Sequence, residues 1–292
     1  MAKHPLAEVF GFRPNDQSEQ ATRFRKLRLC PYNNKVPNCT KDKADDPLGV
    51  CSVLDGTKCV ITCPIRFRQD WLIAEHAAKF FFAEDATWTS LAEVRLADKN
   101  GKSAGNIDLV LVEYDQNGRV VDFGSLEVQA VYISGNVRRP FAAYMSDPKA
   151  NADMDWSHEA NYPRPDYLSS SRKRLAPQLL FKGGILHMWK KKMAVALDRA
   201  FFSTLPTLPT VPEPDAEMAW LIYDLVPDVT GGPLILRQVD TVYTAFADSL
   251  MVMTRPVIGE PEVFIKILQA KLDSQFKHEN PPETSDFDVG LT

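Results

Sequence analysis

The chain has 292 residues, 45% hydrophobic and 25% charged, with a formal net charge of -4. This is ordinary globular material, enough for one large packed domain or two small ones. No run approaches the ~20 apolar residues of a membrane span, and "MAKHPLAEVFGF" carries no apolar signal region, so a cytoplasmic protein without membrane contact is expected.

The net charge hides local excesses. Segment 23–28, "RFRKLR", has four basic residues and no acid, and 164–192 has eight against one acid, Asp166. Local fields, not their sum, decide binding to nucleic acid. Solvated helix faces would account for such runs equally well.

All five cysteines lie in residues 30–63: Cys30, Cys39, Cys51, Cys59 and Cys63. Prolines and glycines punctuate this segment, which reads as loop with little apolar material of its own. Clustered thiols in a cytosolic chain argue for a metal over disulfides, and a tetrahedral thiolate site would order such loops. Five thiols for four positions leave one spare. Cys59, inside the short strand-like "KCVITC", is the expected spare, packed as a small hydrophobe.

Arg68 to Asp85 has apolar residues at helical spacing and predicts an amphipathic helix. His76 on it is expected to be structural. Three strands follow, "SLAEVRLADKN", "AGNIDLVLVEYD" and "RVVDFGSLEVQAVY", the last two joined by a turn ending in Asn117-Gly118, a hairpin signal. Segment 134–170 reads as a long polar loop with one short helix. Ser171 to Phe202 is predicted helical, broken at Gly183-Gly184, with "HMWKKKMAVAL" a core-packed helix bearing a solvated basic face. Residues 205–215 form a Pro-rich connector. "AEMAWLIYDLVPD" is a strand, and "LILRQVDTVYTAFADSLMVM" a strand followed by a helix from near Asp240. The last dozen residues are expected to fray.

Two acids stand out. A hairpin turning on Asn117-Gly118 sets the regions of Asp108 and Glu127 opposite one another on paired strands, both among apolar residues. Carboxylates held close in an apolar setting repel unless a proton or cation lies between them, and hard oxygen ligands suit Mg²⁺. Glu93, one strand earlier, is either a third carboxylate or an exposed strand acid. Side chains two apart share a face, so Gln129 stands beside Glu127.

The pattern Ile107-Asp108 … Glu127-Val128-Gln129 resembles the PD-(D/E)xK nuclease core, with Ile107 replacing its proline and Gln129 its lysine. A narrower resemblance absorbs these departures. "LCPY", "PNCT", "GVCSV" and "ITCP" around Cys30, Cys39, Cys51 and Cys63 resemble the cysteine pattern of the NotI-type restriction endonucleases, and the match skips Cys59. "GSLEVQAVY" is similar to that family's Glu-x-Gln strand. "AWLIYDLVPD" and "RQVDTVYTAF" resemble its C-terminal strand and Val-Asp-Thr helix. The resemblance runs from about Phe10 to Ser274.

It implies an α/β fold, a mixed central sheet flanked by helices, with four-cysteine metal-binding loops in residues 1–70 and the catalytic core in 71–292. It implies a homodimeric bacterial type II restriction endonuclease cutting double-stranded DNA at a GC-rich, GGCC-centred palindrome, leaving a 5′-phosphate and a 3′-hydroxyl. A cognate methyltransferase would protect the same site. Asp108, Glu127 and Gln129 would be catalytic. Asp108, Glu127 and the Val128 carbonyl would hold Mg²⁺, with Glu93 helping, and the four cysteines structural iron or zinc. Arg23, Arg25, Arg28, Arg66, Arg68, Arg172, Lys173, Arg174 and Lys182 are the candidate DNA contacts. The alternatives are a repair or structure-specific nuclease on the same core, or a non-catalytic metal-ribbon DNA-binding regulator.

Overall fold

A computed structural model describes residues 2–43, 45–229 and 232–276. Residues Met1–Thr254 pack as one compact unit, and a second begins at Arg255.

The N-terminal segment is more regular than its sequence suggests. Strands β1 (Leu6–Val9), β2 (Val50–Asp55) and β3 (Lys58–Ile61) form an antiparallel sheet in the order β1-β2-β3. Val50, Val53, Val60 and Ile61 are fully buried. The expected loop region is therefore corrected over 50–61 to a hairpin turning on Gly56, whose φ of +61° suits glycine. Helix α1 (Glu19–Leu27) starts where the Ser18 hydroxyl accepts from the Ala21 N–H at 3.1 Å.

A 3₁₀ stretch (Pro64–Trp71) leads into helix α2 (Leu72–Phe81). The helix is shorter than its apolar pattern, because Asp70 and Trp71 take left-handed backbone angles that break it at the start. Strands β4 (Trp88–Ala97), β5 (Ser103–Tyr114) and β6 (Val120–Gln129) follow as an antiparallel meander. The β5–β6 turn forms as expected. The Asp115 carboxylate accepts from the Asn117 and Arg119 N–H groups at 2.8 and 2.9 Å, and Gly118 sits at φ +73°.

Segment 134–166 holds helix α3 (Arg138–Ser146) and a small sheet of β7 (Tyr132–Ser134) with β8 (Arg164–Asp166). A helical run over 167–188, here α4, contains two π-helical stretches, Ser171–Leu175 and Leu179–Gly183. It passes through Gly183-Gly184 without a break. A Cβ on Gly183 would stand 2.6 Å from the Phe246 ring, so this glycine permits close packing rather than ending a helix.

The expected helix over His187–Leu197 is also corrected: β9 (Met193–Asp198) is a strand, buried at every position. Ala194 and Ala196 pack toward α2, and Val195 and Leu197 toward the leucines of α4. A strand buried on both faces shows no polar alternation, so periodicity cannot separate it from a buried helix.

Strands β10 (Met218–Pro227) and β11 (Leu234–Thr244) complete the main sheet. The second extends past Asp240, so the expected helix starts later, as α5 (Phe246–Thr254). The six strands lie in the order β11-β10-β9-β6-β5-β4, with β6, β9 and β10 mutually parallel and the other pairings antiparallel. α2 covers one face, and α4 with the β1–β3 segment packs into the apolar cluster on the other.

In the second unit, α6 (Pro261–Phe276) has every residue exposed. The expected fraying of the last dozen residues lies outside the described residues. Among the described residues no helix is long and apolar enough to cross a membrane.

One ion pair ties three parts of the compact unit together. Arg66 and Glu8 are both fully buried, and Arg66 Nε donates to the Glu8 carboxylate at 3.0 Å. Its other nitrogens donate to Gln69 Oε1 at 2.8 Å and to the Leu234 carbonyl at 2.7 Å, joining β1, the 3₁₀ stretch and β11. Removing one member leaves the other charge buried and uncompensated. Arg66→Ala is expected to lose about 3–5 kcal/mol in urea unfolding; a loss below about 1 kcal/mol would show the pair to be dispensable.

A buried carboxylate site on the central sheet

β6 is the hinge of the sheet's pairing, antiparallel to β5 on one side and parallel to β9 on the other. Leu109 pairs with Leu126 across the hairpin. One further step along the same register brings Asp108 and Glu127 together. Asp108 is half-buried, and its Oδ2 accepts from the Val128 N–H at 2.9 Å.

Glu127 is 1% exposed. Its Oε2 accepts from Lys182 Nζ at 2.8 Å. Its Oε1 is buried and, among the described residues, has no hydrogen-bond partner. Burial, and then the neighbouring Asp108 charge, push the Glu127 carboxyl up to about 7; the Lys182 ammonium pulls the other way without cancelling them.

Gln129 is buried on the same strand face, and its amide donates to the Ala130 carbonyl at 3.1 Å. It brings no charge to the site.

Glu93 does not join the pair. Register places it across from Asp108, between the pairs Ala92–Leu109 and Val94–Ile107. Its backbone is left-handed, φ +57°, and its exposed side chain reaches Lys35 Nζ at 3.3 Å. A left-handed residue interrupts the side-chain alternation of its strand.

The pair still suits a cation: two adjacent carboxylates, one with a buried oxygen left unsatisfied, are hard donors short of positive charge. Among the described residues, however, no group of three or more His, Cys, Asp or Glu side chains is arranged to hold a metal ion.

The four expected cysteine ligands are likewise not drawn into a ligating set among the described residues. All five cysteines are free. Cys30 feels Cys39 and Cys63, and Cys51 feels Cys63 and Cys30, so these four share one neighbourhood without forming a ligating set. Burial is the main force raising the Cys30 thiol, to about 11. Neutral thiols gain nothing by converging; thiolates converge only on a cation. Cys59 is set apart, with Glu8, Arg13, Asp198 and Asp224 as its charged neighbours and no other cysteine among them.

The candidate DNA contacts divide sharply. Arg66 is locked to Glu8 and cannot reach a ligand outside the fold. Arg25, 3% exposed, donates to the Asp16 and Arg13 carbonyls at 2.6 Å each. Lys182 is buried on Glu127. All three are buried, with partners inside the fold. Arg23, Arg28, Arg172, Lys173 and Arg174 are exposed and Arg68 is partly so. Arg28 pairs with Asp46 at 2.9 Å, and the Arg174 guanidinium lies 3.9 Å from the Tyr132 ring centroid. His76 Nδ1 lies 2.9 Å from the Tyr223 hydroxyl.

Lys182 is the site residue that sequence reasoning placed elsewhere. Its one signal was a lone charge in "QLLFKGGIL", an otherwise apolar helical stretch.

Comparison with protein families matches the model described as restriction endonuclease NotI over residues 15–236. A search of curated proteins found no match. The match spans both the cysteine segment and the carboxylate hairpin and covers most of the chain, so the protein belongs to the NotI restriction endonuclease family, nucleases that hydrolyse DNA.

Proposed function

We propose that the protein is a Mg²⁺-dependent type II restriction endonuclease acting as a homodimer on double-stranded DNA. Its target is a GC-rich palindrome, GGCC-centred, and its products carry a 5′-phosphate and a 3′-hydroxyl. The observation that carries this reading is the Asp108–Glu127 pair with its unsatisfied buried oxygen, in a chain of a restriction endonuclease family.

Asp108, Glu127 and the Val128 carbonyl would hold the ion. Bound there, it would supply Lewis-acid activation of water and phosphate. The protein's own part is positional. Asp108 is fixed by the Val128 N–H, and Glu127 by Lys182, so both carboxylates meet a phosphate in a preset arrangement. The buried strand around Glu127 limits water and strengthens each charge interaction. Water attacks phosphorus and gives up a proton to solvent, the bond to the 3′-oxygen breaks, and that oxygen takes up a proton from solvent.

The exposed Arg172, Lys173 and Arg174 begin the same helical run that carries Lys182. Arg174 leans on Tyr132, just past the end of β6. Such cations neutralise phosphates, and arginine reads guanine in the major groove. A palindromic target requires two-fold symmetry in the protein. A methyltransferase of the same specificity would protect the host DNA.

Digesting a sequenced genome with purified protein and Mg²⁺, then reading the ends, tests the reading. One repeated GC-rich palindrome at every end is expected; heterogeneous ends would favour a repair nuclease, and uncut DNA would sink both. Asp108→Ala is expected to lower the cleavage rate at least about a thousandfold while the protein still binds the target duplex. A variant that still cuts would remove Asp108 from the site.

Arg172→Ala/Lys173→Ala is expected to weaken binding to all duplexes alike and to reduce the slope of log affinity against log salt by about 1 per lost phosphate contact. An unchanged slope would place the DNA elsewhere.

The shared neighbourhood of Cys30, Cys39, Cys51 and Cys63, with Cys59 apart, supports a thiolate-bound iron or zinc that draws the four together. Elemental analysis should find about one such metal per chain, reduced in Cys51→Ser and unchanged in Cys59→Ser. Equal content in all three proteins would exclude this centre.

A further inference from the structure

Hydrolysis of a phosphodiester builds negative charge on the phosphate oxygens, and a cation fixed in a dry site stabilises that charge strongly. The strand that carries Glu127 offers none, since its polar neighbour on the same face is the neutral Gln129. A cation nevertheless stands at the site, delivered from another element. Lys182 is 7% exposed, and its Nζ lies 2.8 Å from Glu127 Oε2.

Several features look built to bring it there. Lys182 lies in the second π-helical stretch of α4, Leu179–Gly183. Such widened turns re-aim side chains and recur at functional sites. Gly183, next in the chain, lets the helix close on Phe246, where a Cβ would stand at 2.6 Å. On the sheet side, β5 passes the lysine stem at Gly105, a glycine held at φ +110°. A Cβ there would stand 3.4 Å from Lys182 Cε, so helix and strand enclose the stem closely. Neutralising Glu127 alone does not account for the arrangement, because Lys182 engages only one carboxylate oxygen and leaves Oε1 unsatisfied.

We propose that Lys182 is a catalytic residue: an ammonium supplied by α4 that contacts the scissile phosphate and fills the place for positive charge that Gln129 leaves empty. The inference rests on the nuclease reading above. Its contribution is charge and position, with no proton transferred. Water adds to phosphorus and gives up a proton to solvent, the 3′-oxygen departs and takes one up from solvent, and Lys182 stays protonated throughout. The lysine and the surface cations Arg172, Lys173 and Arg174 then belong to one helical run, which would engage the backbone outside and the reacting phosphate inside.

The test compares wild type, Lys182→Met and Gln129→Lys/Lys182→Met on a duplex carrying the sequence found by genome digestion. Three quantities are read: the single-turnover cleavage rate with Mg²⁺, the affinity for the duplex with Ca²⁺, and the thermal unfolding midpoint. Gln129 shares the strand face of Glu127, so a lysine there can return an ammonium to the same point. Lys182→Met should slow cleavage at least about a hundredfold, with affinity changed less than about threefold, and the double variant should recover tenfold or more. Three results overturn the proposal. Cleavage within about threefold of wild type in Lys182→Met gives the lysine no part in the reaction. Affinity falling in step with cleavage makes it a binding contact only. Loss of cleavage with a lowered midpoint and no recovery in the double variant makes it a structural counter-ion. If wild type itself cuts no DNA, the nuclease reading fails first; if wild type cuts and Lys182→Met cuts equally, only the lysine assignment fails.

Discussion

Taking a carboxylate out of water costs several kcal/mol even after relaxation, and Glu127 is almost wholly out of water. Nothing on its own strand offsets that. The half-buried Asp108 across the hairpin adds repulsion, and both effects raise the Glu127 carboxyl. The chain answers with Lys182, brought from a helix 55 residues further on. One buried charge therefore requires a second element packed over the sheet, and that helix must carry a lysine through an apolar interface without leaving it unpaired.

This requirement organises both faces of the sheet. Leu126 faces the α2 layer, while Glu127 takes the opposite side of β6, beneath α4. Its neighbours across β9, Val195 and Leu197, join the cluster that holds the α4 leucines and the N-terminal β1–β3 segment. The carboxylate is thus enclosed by side chains from widely separated parts of the sequence. The N-terminal segment is clamped in turn by Glu8 and Arg66, a second buried pair that also fixes β11. Two buried ion pairs at different places in one unit have different uses. Arg66 satisfies its carboxylate and two further acceptors, as a structural pair should. Lys182 engages one oxygen of Glu127 and leaves Oε1 without a hydrogen-bond partner among the described residues.

What the sequence made legible follows from how local each signal is. The β5–β6 hairpin was readable because Asp115 and Gly118 build its turn within five residues; the exact Asp108–Glu127 register also depends on a bulge between Glu113 and Tyr114, which turn chemistry does not announce. Which of its two readings Glu93 takes was not legible, because a single left-handed residue redirects a side chain without changing the composition of its strand. β9 failed because burial on both faces erases alternation. The burial of three cations was not legible, for a common reason. Arg25 ends on backbone carbonyls, Arg66 and Lys182 on distant carboxylates, and a basic residue with such a partner looks the same in sequence as one facing solvent.

The basic segments divide accordingly. In 23–28, Arg25 turns inward while Arg23 and Arg28 stay outside, with Arg28 held by Asp46. In α4 the inward residue is Lys182, and the outward ones, Arg172 to Arg174, occupy the first π-helical stretch as it occupies the second. A chain of net charge -4 does not attract DNA by its overall field, so any attraction must be local and aligned with the site. On the reading proposed above, a single helix bearing exposed cations near its start and a buried one near its end would do both. Charge that draws a phosphate backbone to the surface and charge that meets a reacting phosphate would then share one element, with their spacing set by the helix rather than by loops.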